Sequence, residues 1–227
     1  MQDPPERQSD LHPGLHGLAF LLACCILITR RPDAVFHAQF FAEDGHVWFA
    51  DAYNLGWWNT LFHAQDGYFQ TLPRLGAALA LLVPLAMAPL VLNLIAIAFQ
   101  ALAVNLLLSS RSAAWGSLRF RALLAGTYLL LPNCREMVAI ITSSQWILAL
   151  CVFIILVAST PKSLAARLFD FAVVLLSGLT GPFCFFLLPI ALFLTWKRRE
   201  VWRWAVACEL SVMCAIQAWG WTRKPGA

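Results

Sequence analysis

The sequence predicts an all-α, polytopic membrane protein, and three observations carry that prediction. Of 227 residues, 60% are hydrophobic and 12% are charged, with a mean hydropathy of +0.70. The charged share is about half that of an ordinary soluble domain. The apolar residues also come in long runs, one of which extends uncharged for 36 residues from Leu75 to Ser110. As a single helix that run would reach roughly 54 Å, beyond a hydrocarbon core of about 30 Å, so it must break. Finally, the charges are sorted between the runs. Five of the twelve acids (Asp33, Glu43, Asp44, Asp51, Asp66) lie between the first two apolar runs, and most basic residues lie in short loops further on. That sorting marks sidedness, not a nucleic-acid surface. A cytosolic enzyme and a disordered or fibrous chain are excluded.

The elements follow in order. After the mixed polar tail Met1 to Asp10, Leu15 to Thr29 is apolar and ends at Arg30-Arg31-Pro32. It lacks the small-residue cleavage site of a signal peptide and reads as a retained first span with a cytoplasmic amino terminus. Short basic loops mark the cytoplasmic side: Arg111 to Arg121, Lys162 to Arg167 and Lys197 to Arg203. The chain then reads as one transmembrane domain over 1–227, with a first span at 14–30 and an extracytoplasmic loop at 31–89. Six further spans fall within 90–221, near 90–109, 118–132, 144–159, 165–180, 183–197 and 203–220. Several are shorter than the roughly 20 residues of a straight crossing, and Arg119, Arg121 and Arg167 are expected to snorkel. Leu75 to Pro89, interrupted by Pro84, reads as a short interfacial helix. If it spanned instead, every later loop would change sides.

The cysteines form no framework. Six of the seven lie inside apolar runs, Cys134 is near a loop, and no CxxC or Cys/His spacing suggests structural zinc. In the first loop, Phe40-Phe41-Ala42-Glu43-Asp44-Gly45-His46-Val47-Trp48-Phe49-Ala50-Asp51 continues to Leu55-Gly56-Trp57-Trp58. Asp44 is placed to cap a helix that Gly56 ends. Seven residues separate Asp44 from Asp51, which puts both on one helical face. Val47, Trp48 and Leu55 form the apolar flank expected of a helix lying on a membrane surface.

These pieces resemble the bacterial GT-C glycosyltransferases, multi-spanning enzymes that take sugars from polyprenyl-phosphate donors. The resemblance rests on Phe41-Ala42-Glu43-Asp44-Gly45, Gly67-Tyr68 with Leu72-Pro73-Arg74, Pro132-Asn133 with Glu136, Gln145-Trp146, and Leu179-Thr180-Gly181-Pro182-Phe183. It covers about Phe40 to Phe186, and the superfamily's amino-terminal module also has seven spans. Two departures stand out: the Leu-Thr-Gly-Pro turn lacks the lysine many relatives have, and relatives are commonly twice as long. The expectation is therefore a truncated or partial chain.

The resemblance implies transfer of a sugar to a cell-envelope glycan or lipid acceptor at the periplasmic face of the bacterial inner membrane. Such transfer needs a base for the acceptor hydroxyl and cationic or metal help for the departing phosphate. The resemblance puts the catalytic acid in the first outer loop. Asp44 is the expected base and Glu43 its support; the alternative is that Asp44 only caps a helix. Arg74 and Arg135 stand on the side where arginine is rare and are the expected phosphate clamp. Arg74 is otherwise a lipid-headgroup anchor, and Arg135 is otherwise a partner of Glu136. Asp51, Tyr68, Glu136, Gln145 and Trp146 complete the substrate-binding set, with Asp66 read mainly as a turn residue. The sequence assigns no definite cofactor. A divalent cation held by Asp44 with His37, His46 and His63 is conceivable, although the spacing fits no zinc pattern. Glu209, alone within the last span, is a functional candidate by position. Competing readings are a non-catalytic remnant or assembly partner and a lipid or solute transporter. No internal repeat supports the transporter.

Overall fold

A computed structural model describes residues 13–132 and 136–222. The amino-terminal tail, Arg135 with its neighbours Asn133 and Cys134, and the last five residues lie outside the described set. All regular elements among the described residues are helical. In chain order they begin with α1 (Pro13–Arg30) and α2 (Asp33–Phe36). Two π-helical stretches, Asp44–Phe49 and Ala52–Gly56, then lead into α3 (Trp57–Thr60). The remaining helices are α4 (Thr71–Ala80), α5 (Ala88–Leu108), α6 (Leu118–Leu130), α7 (Ser144–Val157), α8 (Leu164–Gly178), α9 (Cys184–Arg198) and α10 (Val201–Trp221). Seven of these coincide closely with the seven apolar segments expected from sequence. One stretch, Leu85–Leu108, is long and apolar enough to cross a membrane, while Gly14–Arg30 and Ser144–Val157 are apolar but shorter.

The breaks are where the chemistry requires them. Pro84 and the single turn Leu85–Met87 separate α4 from α5, so the long apolar run does become two helices. With ten residues, α4 is about 15 Å long. Its Ala77 and Ala80 pack against Ala88, Leu92 and Ala96 of α5 together with Trp48, Phe49 and Ala52. Small residues on both helices permit that close approach. The larger core joins α1 and α5 to α7, α8, α9 and α10. Gly178 abuts Met213 there: a Cβ at 178 would lie 2.3 Å from Met213 Cγ. Gly178→Ala is expected to destabilise the protein by about 1–3 kcal/mol through overpacking. Thermal denaturation in mild detergent measures this, and an unchanged midpoint would contradict the packing.

Arginines close the helix ends. Arg121 is not a snorkelling residue: it is buried, and its guanidinium donates to the carbonyls of Leu107, Leu108 and Ser109 at the end of α5. Arg203 does the same for Leu156 and Ala158 after α7, at 2.6 and 2.9 Å. Arg30 serves Leu129 and Leu131 at the end of α6. Carbonyls at a helix carboxy terminus lack intrahelical partners and carry the negative end of the dipole, which is why a cation settles there. Arg167 likewise turns back to the Pro161 carbonyl and lies over the Trp202 ring. Arg119, in contrast, is exposed.

Candidate functional site

Three segments far apart in sequence meet at one end of the bundle: 40–74, 136–146 and 179–183. Their first shared feature is a buried polar chain built on Trp48. The Trp48 indole N–H donates to Thr142 Oγ1 at 2.8 Å, and that hydroxyl donates to Asp44 Oδ1 at 2.8 Å. The Arg74 guanidinium lies over the Trp48 ring, 5.1 Å from its centroid. Arg74 Nη1 donates to Asp51 Oδ2 at 3.1 Å and its Nε to the His63 carbonyl at 3.1 Å. Asp44, Trp48 and Arg74 are 1%, 1% and 3% exposed.

Asp44 does not cap its helix. Its carboxylate turns across to Thr142, while Oδ2 is buried without a hydrogen-bond partner. Burial pushes its pKa up to about 6, assisted by the neighbouring Glu43 and opposed by hydrogen bonds from Thr142. Such a group is charged at neutral pH yet accepts a proton readily, as a general base should. Burial draws the Arg74 pKa down and the Asp51 carboxylate pulls it back up. Along the π-helical stretches Asp44 turns to Thr142 and Asp51 to Arg74, and both partners meet at Trp48. Trp48, expected on the membrane flank, is instead a core residue. The exposed side of this helix carries Tyr53, Leu55, Trp57 and Trp58.

The second feature is a groove of about 510 Å³ lined by Tyr68, Gln145, Trp146, Pro182, Phe183 and Phe186. Asp66-Gly67 builds its first edge. Both residues have positive φ, and Gln65 and Tyr68 exchange backbone hydrogen bonds of 2.9 and 3.1 Å, a hairpin turn that presents Tyr68. The next residues pair with the turn after α8: Gly181 N donates to Phe69 O, Thr71 N to Leu179 O, and Leu72 N to Thr180 Oγ1. Gln217 of α10 fastens both segments, accepting from Phe69 N and donating to the Gly178 and Gly181 carbonyls. Gly181 has a φ of +89, and a Cβ there would lie 2.3 Å from Gln145 Oε1. Only glycine leaves room for that amide. Trp146 packs edge-on to Phe183 with ring centroids 4.6 Å apart, and stays half exposed.

The expected residues therefore sort into three sets. Asp44, Arg74 and Asp51 join the buried chain. Tyr68, Gln145 and Trp146 join the groove, which α7 connects to Thr142 within four residues. Glu43 is half-buried beside Asp44, and Glu136 is exposed, with its backbone carbonyl accepting from Ser143 Oγ. Arg135 lies outside the described residues. Arg74 is already engaged through two of its nitrogens, Nη1 with Asp51 and Nε with the His63 carbonyl. Among the described residues no three His, Cys, Asp or Glu side chains gather as a metal site would require. His46 turns to the Ala42 carbonyl. Glu209 is buried on α10, and neither of its carboxylate oxygens has a hydrogen-bond partner.

Sequence reasoning missed Thr142 and Gln217, and gave Thr180 only as part of a turn motif. Thr142 precedes Ser143-Ser144 and reads as part of a helix start, while its two side-chain partners are 94 and 98 residues away. In comparisons with protein-family models, curated proteins and solved structures, nothing matches this chain.

Proposed function

We propose that the chain is a seven-span membrane glycosyltransferase of the GT-C type. It moves a sugar from a polyprenyl-phosphate donor to a glycan or lipid acceptor at the periplasmic face of a bacterial inner membrane. One observation carries the reading. Most of the short motifs that resemble that superfamily, dispersed between Phe41 and Phe183, converge at one end of the bundle, where Asp44 is a buried carboxylate with an unpartnered oxygen that does not itself line the groove.

In this reading Asp44 Oδ2 takes the proton of the acceptor hydroxyl. The acceptor oxygen forms a bond to the anomeric carbon, the bond from that carbon to the donor phosphate breaks, and polyprenyl phosphate departs with inversion. The groove receives the sugar, with its C–H face on Trp146 and its hydroxyls on the Gln145 amide and the Tyr68 phenol. A donor phosphate competes with Asp51 for Arg74, whose planar fork suits either anion. The test is transfer of radiolabelled sugar from polyprenyl-phosphate donors by the whole chain in proteoliposomes. No transfer across a panel of donors and acceptors would count against it.

The closure of Asp44 and Arg74 inside the protein favours a second reading, a non-catalytic assembly partner. The same assay separates the two. The topology has its own test. In a cysteine-free background, Asn54→Cys is expected to react with an impermeant thiol reagent added outside, and Ala114→Cys only after permeabilisation. The reverse pattern would invert the assignment.

A further inference from the structure

We propose that Thr142 is the positioning residue of this site, holding Asp44 through Oδ1 so that Oδ2 is the oxygen that takes the proton. The inference rests on the reading of Asp44 as the base and adds a residue that neither motif nor spacing assigns. It follows from which atoms can donate. An indole N–H only donates, so Trp48 fixes Thr142 Oγ1 as an acceptor at 2.8 Å. The hydroxyl hydrogen is then free for one partner, Asp44 Oδ1, also at 2.8 Å. That arrangement fixes the carboxylate plane and leaves Oδ2, buried and unpartnered, as the vacant acceptor. The Arg74 guanidinium lies over the Trp48 ring, 5.1 Å from its centroid, and Arg74 is itself held by Asp51. The order of support runs Asp51, Arg74, Trp48, Thr142, Asp44.

Few other charges act on Asp44. On its own helix Glu43 adjoins it and the exposed His46 turns back to the Ala42 carbonyl, while α4 contributes Arg74 alone, already paired with Asp51. The packed part of α5 has no charged side chain. Glu136, on the loop that leads to Thr142, is exposed. The hydrogen bond from the Thr142 hydroxyl is therefore the largest influence favouring the ionised form of Asp44, and its loss has a directional signature.

The experiment reads Asp44 directly in the purified full chain, by infrared difference spectroscopy against pH. The carboxyl band is assigned by its absence in Asp44→Asn. Thr142→Val removes the hydroxyl and is expected to raise the Asp44 midpoint by about one pH unit, with Thr142→Ser close to the parent. Trp48→Phe frees the hydroxyl to rotate and gives a smaller upward shift; it also supplies the reading if Thr142→Val does not fold. With a polyprenyl-phosphate sugar as donor, Thr142→Val lowers kcat about tenfold and leaves KM unchanged, and Thr142→Ser restores kcat. An unmoved midpoint in both Thr142→Val and Trp48→Phe would overturn the proposal. Full transfer by Asp44→Asn alongside a shifted midpoint would instead remove the base reading and leave Thr142's hold on the carboxylate in place.

Discussion

Asp44→Asn is expected to lower sugar transfer by about 10²–10⁴ while the protein stays folded. The substitution keeps the side chain's shape and retains a carbonyl oxygen to accept from the Thr142 hydroxyl, so only the proton acceptor is lost. Stability should not fall with it. A carboxyl whose pKa rises from 3.8 to about 6 on folding destabilises the folded state when ionised. That penalty is absent below pH 3.8, grows between the two values and is complete above about 6, so the neutral amide relieves it at pH 7. Transfer by the parent should decline as pH falls through about 6, because the base becomes protonated. The residual rate of Asp44→Asn should lack that decline. Glu43→Gln, beside the site and without the buried orphan oxygen, should cost far less. Full transfer by Asp44→Asn at neutral pH would assign the base elsewhere.

How much of this was legible in the sequence depends on the range of the interaction. The seven long helices were readable because each is an apolar run bounded by local signals: Arg30-Arg31-Pro32 after α1, Ser163 before α8, and Leu179-Thr180-Gly181-Pro182 between α8 and α9. Pro84 likewise announced the break before α5. The orientation of the 44–56 helix was not readable. Both faces of this helix carry large apolar side chains, so hydrophobicity does not choose between Trp48 and Trp57 for the core. The choice falls to Thr142, Arg74 and the small residues of α4, all distant in sequence. Counting at 3.6 residues per turn also does not apply across a π-helical stretch such as 44–49 or 52–56. The arginines teach a similar lesson. Their positions suggested a sidedness, but the partners of Arg30, Arg121 and Arg203 are carbonyls of other helices, which no charge pattern displays. The groove was more readable, since its residues fall in short motifs, yet the backbone pairing that joins Phe69 to Gly181 is invisible until the chain folds.

At the opposite end of the bundle, Asp170→Ala is expected to be the most destabilising single change outside the candidate site, by about 3 kcal/mol. Asp170 is fully buried on α8 and accepts two hydrogen bonds from Arg111, at 2.8 and 2.5 Å. Arg111 also donates to the Ser159 carbonyl, so this pair joins the turn after α5, the end of α7 and α8. The pair as a whole adds little net stability, because the cost of desolvating both charges offsets much of their attraction. Breaking it is another matter. Alanine leaves the Arg111 guanidinium, only 22% exposed, without its anion and opens a cavity behind it. The double variant Arg111→Met with Asp170→Leu removes both charges and refills the space. It should recover most of the loss, so a double-mutant cycle should be strongly non-additive. Thermal denaturation in mild detergent measures the three variants, with a fall of several degrees expected for Asp170→Ala. Equal losses in the single and double variants would mean that packing, not the uncompensated charge, sets the cost. Since the pair lies at the end away from Asp44, transfer per folded molecule should be unchanged in all three.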